Sequence, residues 1–119
     1  KWVPAYRFSI MLFDKPIGEI DIRIGYTDGL YYGGNIGYGI SEAYRGHGYA
    51  VRACKLIGQV ARAHKMKSVI ISNEYSNHAS KRVCEKLGAK FLRTVKLPIE
   101  NVMRQDGHEF ENIFIWNLD

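Results

Sequence analysis

Tyr44-Arg45-Gly46-His47-Gly48-Tyr49-Ala50 lies between a strand-like segment ending at Ile40 and a helical pattern opening at Gly48. The first turn of a helix leaves backbone N–H groups without partners, and the helix dipole adds roughly half a positive charge at the same end. Two glycines let an anion approach that backbone, and Arg45 supplies a guanidinium fork matching phosphate oxygens. The stretch predicts a pyrophosphate-binding turn carried by a strand, a short loop and a helix N-terminus.

Two other phosphate motifs fail by inspection. A P-loop needs Gly-Lys-Ser or Gly-Lys-Thr after its glycines, and neither occurs. The dinucleotide fingerprint would place a third glycine or an alanine at position 51, where Val51 stands, with an acidic residue about twenty positions on that is also absent.

Outward toward the N-terminus, Tyr6 to Leu12 and Ile17 to Ile24 alternate apolar and polar residues around Asp14-Lys15-Pro16, predicting a hairpin with one solvated face. Gly25 to Gly34 is turn-rich. Asn35 to Ile40 predicts a third strand, in which Gly34, Gly37 and Gly39 invite close backbone approach by a ligand.

Outward toward the C-terminus, Ala50, Ala53, Cys54, Ile57, Val60 and Ala61 recur at helical spacing from Gly48 to His64. Val69-Ile70-Ile71 within Ser68 to Ser72 predicts a strand covered on both faces and central in the sheet. Ser76 or Asn77 caps a second helix that buries Ala79, Val83 and Leu87 and closes at Gly88. Phe91 to Leu97 and Glu109 to Leu118 predict two last strands joined by the polar loop from Pro98 to His108. The order β-β-β-α-β-α-β-β describes a single α/β domain over residues 1–119, with a mixed, mostly antiparallel sheet flanked by helices.

Composition narrows the class of protein. The chain has 119 residues, 46% of them hydrophobic, enough for one core. It lacks an eighteen-residue apolar run, and Lys1-Trp2-Val3-Pro4 lacks a signal-peptide pattern, so the expectation is a cytoplasmic protein without membrane contact. Cys54 and Cys84 read as reduced thiols, and no ligand cluster suggests a metal. The formal charge of +5 suits a polyanion. Because Arg and Lys are scattered rather than clustered with exposed aromatics, a small phosphorylated cofactor is favoured over nucleic acid.

Arg45, Gly48 and Ala50 match the cofactor loop of the GNAT superfamily of acetyl-CoA-dependent N-acetyltransferases, which reads Arg or Gln, two residues, Gly, one residue, Gly or Ala. Asn77-His78-Ala79-Ser80 and Glu85-Lys86-Leu87-Gly88-Ala89 resemble its second signature, at a suitable distance downstream. The resemblance covers roughly Ile17 to Leu97, and its Asn-x-x-Ser and Glu-Lys-Leu-Gly strings also resemble the ribosomal-protein N-terminal acetyltransferase branch. The strand and helices that usually precede the hairpin are not found in this chain.

The resemblance implies acetyl-CoA as cofactor. Tyr38 to Ile40 would pair their backbone with pantetheine amides, and the N–H groups of Arg45, Gly46, His47, Gly48, Tyr49 and Ala50 would hold the pyrophosphate. Asn77 would contact the pantetheine arm, with Ser80 beside it, although both also read as helix caps. Where many members carry a thiolate-protonating tyrosine, seven residues after the asparagine, this chain has Cys84. Its thiol is an admissible acid and equally suits a buried position. Asn35 and Tyr38 occupy the strand where a glutamate base is expected, which leaves Glu19, Asp21, Glu42 and Glu74 as candidates. Tyr26, Tyr31 and Tyr32 are candidates for an acceptor pocket.

The expected activity is direct acetyl transfer to a primary amine, either a small molecule or a protein N-terminus, and a homodimer is compatible with it. A coenzyme A-sensing module without turnover and a basic nucleic-acid-binding domain are the alternatives.

Overall fold

The computed structural model describes residues 4–26, 33–98, 107 and 109–118. In chain order the elements are β1 (Ala5–Leu12), β2 (Lys15–Arg23), β3 (Ile36–Ile40), a 3-10 turn (Glu42–Tyr44), α1 (Tyr49–Ala63), β4 (Ser68–Glu74), α2 (His78–Leu87), β5 (Lys90–Lys96) and β6 (Phe110–Asn117). Every predicted strand and helix forms, in the predicted order. The expectations placed on Tyr31, Tyr32 and most of the loops from Gly25 to Gly34 and Pro98 to His108 lie outside the described residues.

The strands form two three-stranded antiparallel sheets, ordered β1-β2-β3 and β4-β6-β5. Period-two patterning explains how each sheet buries one face. Ile20, Ile22 and Ile36 of the first sheet and Val69, Ile71, Phe114 and Trp116 of the second meet one core with Ala53, Cys54, Ile57 and Ala61 of α1 and Cys84 and Leu87 of α2. Both helices therefore lie on the same side. This corrects the expectation for β4 on two counts: its burial alternates along the strand, because only the face bearing Val69 and Ile71 meets the helices, and it is an edge strand of its sheet, with β6 at the centre.

The two sheets are stitched at Asn35 and Ile70. Asn35 N–H donates to Ile70 C=O and Ile70 N–H donates to Asn35 Oδ1, both at 2.7 Å. Asn35 Nδ2 donates to Arg23 C=O at 2.9 Å and Gly25 C=O at 3.0 Å, while Arg23 N–H donates to Asn35 C=O. The side chain is fully buried and every polar atom it carries is engaged. Gly34 makes room for the stitch: its φ is +81°, and a Cβ there would meet Ser72 N at 3.0 Å and Ile70 O at 3.3 Å. Beyond Asn35 and Ile70 the strands β3 and β4 belong to different sheets, and the gap between them opens toward Ile40 and Glu74.

Candidate active site

A cavity of about 420 Å³ lies at that gap, lined by the end of β3, the loop to α1, the first turn of α1 and one face of α2. Its floor is the predicted turn. The 3-10 turn closes with Tyr44 N–H donating to Ser41 C=O at 2.9 Å, and the chain then reverses through Gly46 and Gly48, with φ of +83° and +80°. A Cβ at either glycine would have no neighbour within 4 Å, so the requirement is conformational and the space in front of the backbone is open.

Gly48 caps α1 without a side-chain bond, and the first turn of the helix has no acidic residue. The first helical bond across the cap runs from Arg52 N–H to Gly48 C=O at 3.2 Å, so the preceding N–H groups have no partner within the helix. Arg45 is used in two ways. Its Nε donates to Ile40 C=O at 2.8 Å, fixing the loop to the strand end, and the side chain also lines the cavity. His47 is exposed, stacks obliquely on Tyr49 with ring centroids 5.8 Å apart, and does not line the cavity.

The ladder between β2 and β3 determines which backbone groups face the gap. Bonds from Arg23 N–H to Asn35 C=O and from Ser41 N–H to Ile17 C=O bracket a continuous register, so Gly37 and Gly39 turn their peptide groups toward β2. Ile36, Tyr38 and Ile40 turn theirs toward the gap. A free strand edge thus runs along the cavity, able to pair with an extended amide chain.

The opposite wall is α2. Asn77 Oδ1 caps it by accepting from Ser80 N–H at 3.1 Å, deciding between the two predicted caps, and both residues line the cavity. At the inner end Tyr38 OH and Ser80 Oγ are 3.1 Å apart, and Asn73 Nδ2 donates to Ser80 Oγ at 3.3 Å and to Cys84 Sγ at 3.6 Å. Burial pushes the Tyr38 hydroxyl up to about 12, with the Ser80 bond opposing the shift. It is protonated at any neutral pH.

Cys84 sits behind this pair. It is 0% exposed, does not line the cavity, and burial pushes its thiol up to about 12. Glu74 Oε1 accepts from Ser76 N–H at 3.1 Å and from Ser76 Oγ, forming a turn at the end of β4 outside the cavity lining. Asn35 serves the stitch and not the cavity. Glu19 and Asp21 line a separate groove of about 570 Å³ that shares Tyr38, Gly39 and Ile40 with the first, from the other face of β3. Tyr26 is exposed and donates to Ser68 C=O at 3.0 Å. Sequence reasoning missed Asn73, whose partners are distant in the chain, and Arg82 and Lys86, which had no assigned role.

The model of the acetyltransferase (GNAT) domain matches residues 2–90. The chain belongs to the GNAT acetyltransferase family. No curated protein matches the sequence. Among solved structures, this GNAT domain is similar to the microcin C7 self-immunity acetyltransferase MccE in complex with acetyl-CoA and AMP, at 19% identity and a TM-score of 0.73, covering 95% of this chain and 61% of that one. It is also similar to Mycobacterium smegmatis RimJ in complex with CoA-disulfide, at 17% identity and TM-score 0.73, covering 95% of this chain and 53% of that one. A third is the acetyltransferase from Salmonella typhimurium that modifies the N-terminal serine of ribosomal protein L7/L12, at 18% identity and TM-score 0.74, with 97% and 64% covered. The chain thus spans between half and two thirds of each of these proteins. The shared fold is GNAT, and no described helix is long and apolar enough to cross a membrane.

Proposed function

We propose that this GNAT domain transfers an acetyl group from acetyl-CoA to a primary amine by direct attack, in a complex holding both substrates. The observation that carries the reading is the continuity of one cavity: an open turn of N–H groups at Gly46 to Ala50, the free edge of β3 and the Tyr38–Ser80 hydroxyl pair follow one another along it. The lining fits the cofactor part by part. The turn suits a pyrophosphate, the edge at Tyr38 and Ile40 suits the pantetheine amides, and Asn77 lies beside that edge. When bound, acetyl-CoA supplies an acetyl group activated as a thioester.

The chain's own residues orient and move protons. Tyr38 N–H, on the free edge, is positioned to polarise a carbonyl lying in the gap. Ser80 Oγ accepts from Asn73 Nδ2, and one hydroxyl of the Tyr38–Ser80 pair donates to the other, which leaves a single O–H. That O–H serves the departing thiolate, in the role first sought at Cys84, whose buried thiol faces Asn73.

Among the described residues this cavity is lined by no carboxylate or histidine, and the carboxylates of Glu19 and Asp21 lie in the groove on the other face of β3, which favours an amine that arrives largely neutral. An α-amine, with pKa about 7.7–8.0, meets that condition, whereas a lysine near 10.4 does not. A protein N-terminus is therefore the favoured acceptor, in line with the L7/L12-modifying relative. Thiol release from acetyl-CoA with N-terminal peptides, lysine-blocked peptides and polyamines tests this. Turnover should follow the free α-amine, and a protein that binds acetyl-CoA but releases no thiol with any amine would instead be a sensor.

A further inference from the structure

Two buried amide atoms, Asn73 Oδ1 and Asn112 Nδ2, have no hydrogen-bond partner among the described residues. Asn73 is 5% exposed and Asn112 2%, so neither side chain opens to solvent. The two residues pair directly, Asn73 on β4 with Asn112 on β6, and Thr94 of β5 continues the row. Side chains opposed across an antiparallel pair share a face, with Cβ atoms about 5 Å apart. Asn73 turns Nδ2 to Ser80 and Cys84 on α2, which leaves Oδ1 over the sheet. Asn112 accepts at Oδ1 from the Thr94 hydroxyl at 2.8 Å, on the β5 side, which leaves Nδ2 on the side of β4. These two atoms are the donor and the acceptor of one hydrogen bond, and the broad terminal torsion of asparagine lets the amides turn to close it.

The way Asn73 faces decides how many protons the Tyr38–Ser80 pair can give, and the inference rests on the role proposed for that pair. With Nδ2 toward Ser80, Asn73 donates, one hydroxyl of the pair donates to the other, and one O–H stays free. With the amide reversed, Ser80 would donate to Asn73 Oδ1, Tyr38 would donate to Ser80, and no O–H would remain. Cys84 does not choose between the two, because a protonated thiol both donates and accepts weakly. We propose that Asn112 is a positioning residue: its Nδ2 donates to Asn73 Oδ1 and holds Asn73 in the donating orientation, and Thr94 holds Asn112 in turn. A row of polar side chains across the second sheet thus keeps a proton available at the end of the first.

A double-mutant cycle in thiol release from acetyl-CoA, with a peptide bearing a free α-amine, tests the proposal. Asn112→Leu should lower kcat by about tenfold and leave KM for acetyl-CoA within about twofold, a coupling of the size found within one hydrogen-bond network. In a Tyr38→Phe background the same change should have no further effect, because the hydroxyl it serves is gone. Thr94→Val should lower kcat by about threefold, and Thr94→Ser should restore it. Thr94 is exposed, so its variants decide the matter even where Asn112→Leu fails to fold, and urea midpoints verify folding. Wild-type kcat in the folded variants would overturn the proposal. So would an equal loss with and without the Tyr38 hydroxyl, since the row would then serve only the fold. Wild-type kcat in Tyr38→Phe alone would overturn the reading of the hydroxyl pair itself, and this inference with it.

Discussion

Replacing Asn35 by leucine removes a side chain that ties the first sheet to the second by hydrogen bonds at the cavity's vertex. The substitution keeps the volume roughly constant, but Ile70 N–H loses its acceptor, and Arg23 C=O and Gly25 C=O lose a shared donor. Three part-buried backbone groups left unmatched, at about 1 kcal/mol each, give up to about 3 kcal/mol of destabilisation. Unfolding entropy of about 2.1 cal/mol/K per residue over the chain gives about 0.25 kcal/mol/K, so the melting temperature should fall by up to about 12 °C. Urea denaturation with an unchanged m-value, alongside calorimetric melting, measures both. Asn35→Asp keeps an acceptor for Ile70 but turns a carboxylate oxygen toward two carbonyls, and at neutral pH it should be at least as harmful. A leucine variant within about 0.5 kcal/mol of the wild type, the usual range for neutral surface changes, would refute the reasoning.

Gly48→Ala should stay folded at a cost of about 1–2 kcal/mol for its positive φ, whereas Gly48→Trp should abolish the thermal shift given by acetyl-CoA, because its side chain enters open cavity space. The wild-type shift at a hundredfold excess over the dissociation constant corresponds to about 2.7 kcal/mol. Tyr38→Phe should lower kcat by about 10²-fold with little change in acetyl-CoA affinity, while Cys84→Ala should retain most of kcat; the opposite ranking in steady-state assays would return the proton to Cys84. The thiols of Cys54 and Cys84 are both raised to about 12 by burial, so they stay protonated when folded and ionise more readily when unfolded. Their contribution is complete below about pH 9 and declines as pH rises toward 12, by up to about 1.4 kcal/mol per pH unit for each thiol. Urea midpoints at pH 8 and pH 10 should diverge less in Cys54→Ala than in the wild type.

Local chemistry was legible in the sequence, and chemistry across the gap was not. The turn at Gly46 to Ala50 needs only positive φ, a helix start and Arg45, all contiguous, and the cap at Asn77 is set by Ser80 three residues on. The first helix and the β1-β2 hairpin follow from periodicity, but the buried face of the second helix was misassigned: Ala79 is exposed and lines the cavity, and Cys84 and Leu87 are the buried positions. Asn35, by contrast, was weighed as the occupant of a base position, because its real partner, Ile70, is thirty-five residues away. The Tyr38–Ser80–Asn73 set joins β3, α2 and β4, which no single window contains. Three apolar residues at 69–71 suggested a strand covered on both sides, but an apolar run cannot tell how many helical layers the rest of the chain supplies.

The stitch at Asn35 and Ile70 also bears on how the molecule opens. The β1-β2-β3 meander is built from neighbours in sequence, and the β4-β6-β5 sheet brings the chain back from its far end, so the two halves, which share one core, are expected to open to different extents. Amide exchange should then report two tiers of protection that meet at Ile70, whose N–H is held by a side chain rather than by a ladder. A ligand lying along the free edge of β3 would bridge the seam from the other end and merge the tiers into one, making protection of the second sheet a sensor of occupancy in the first.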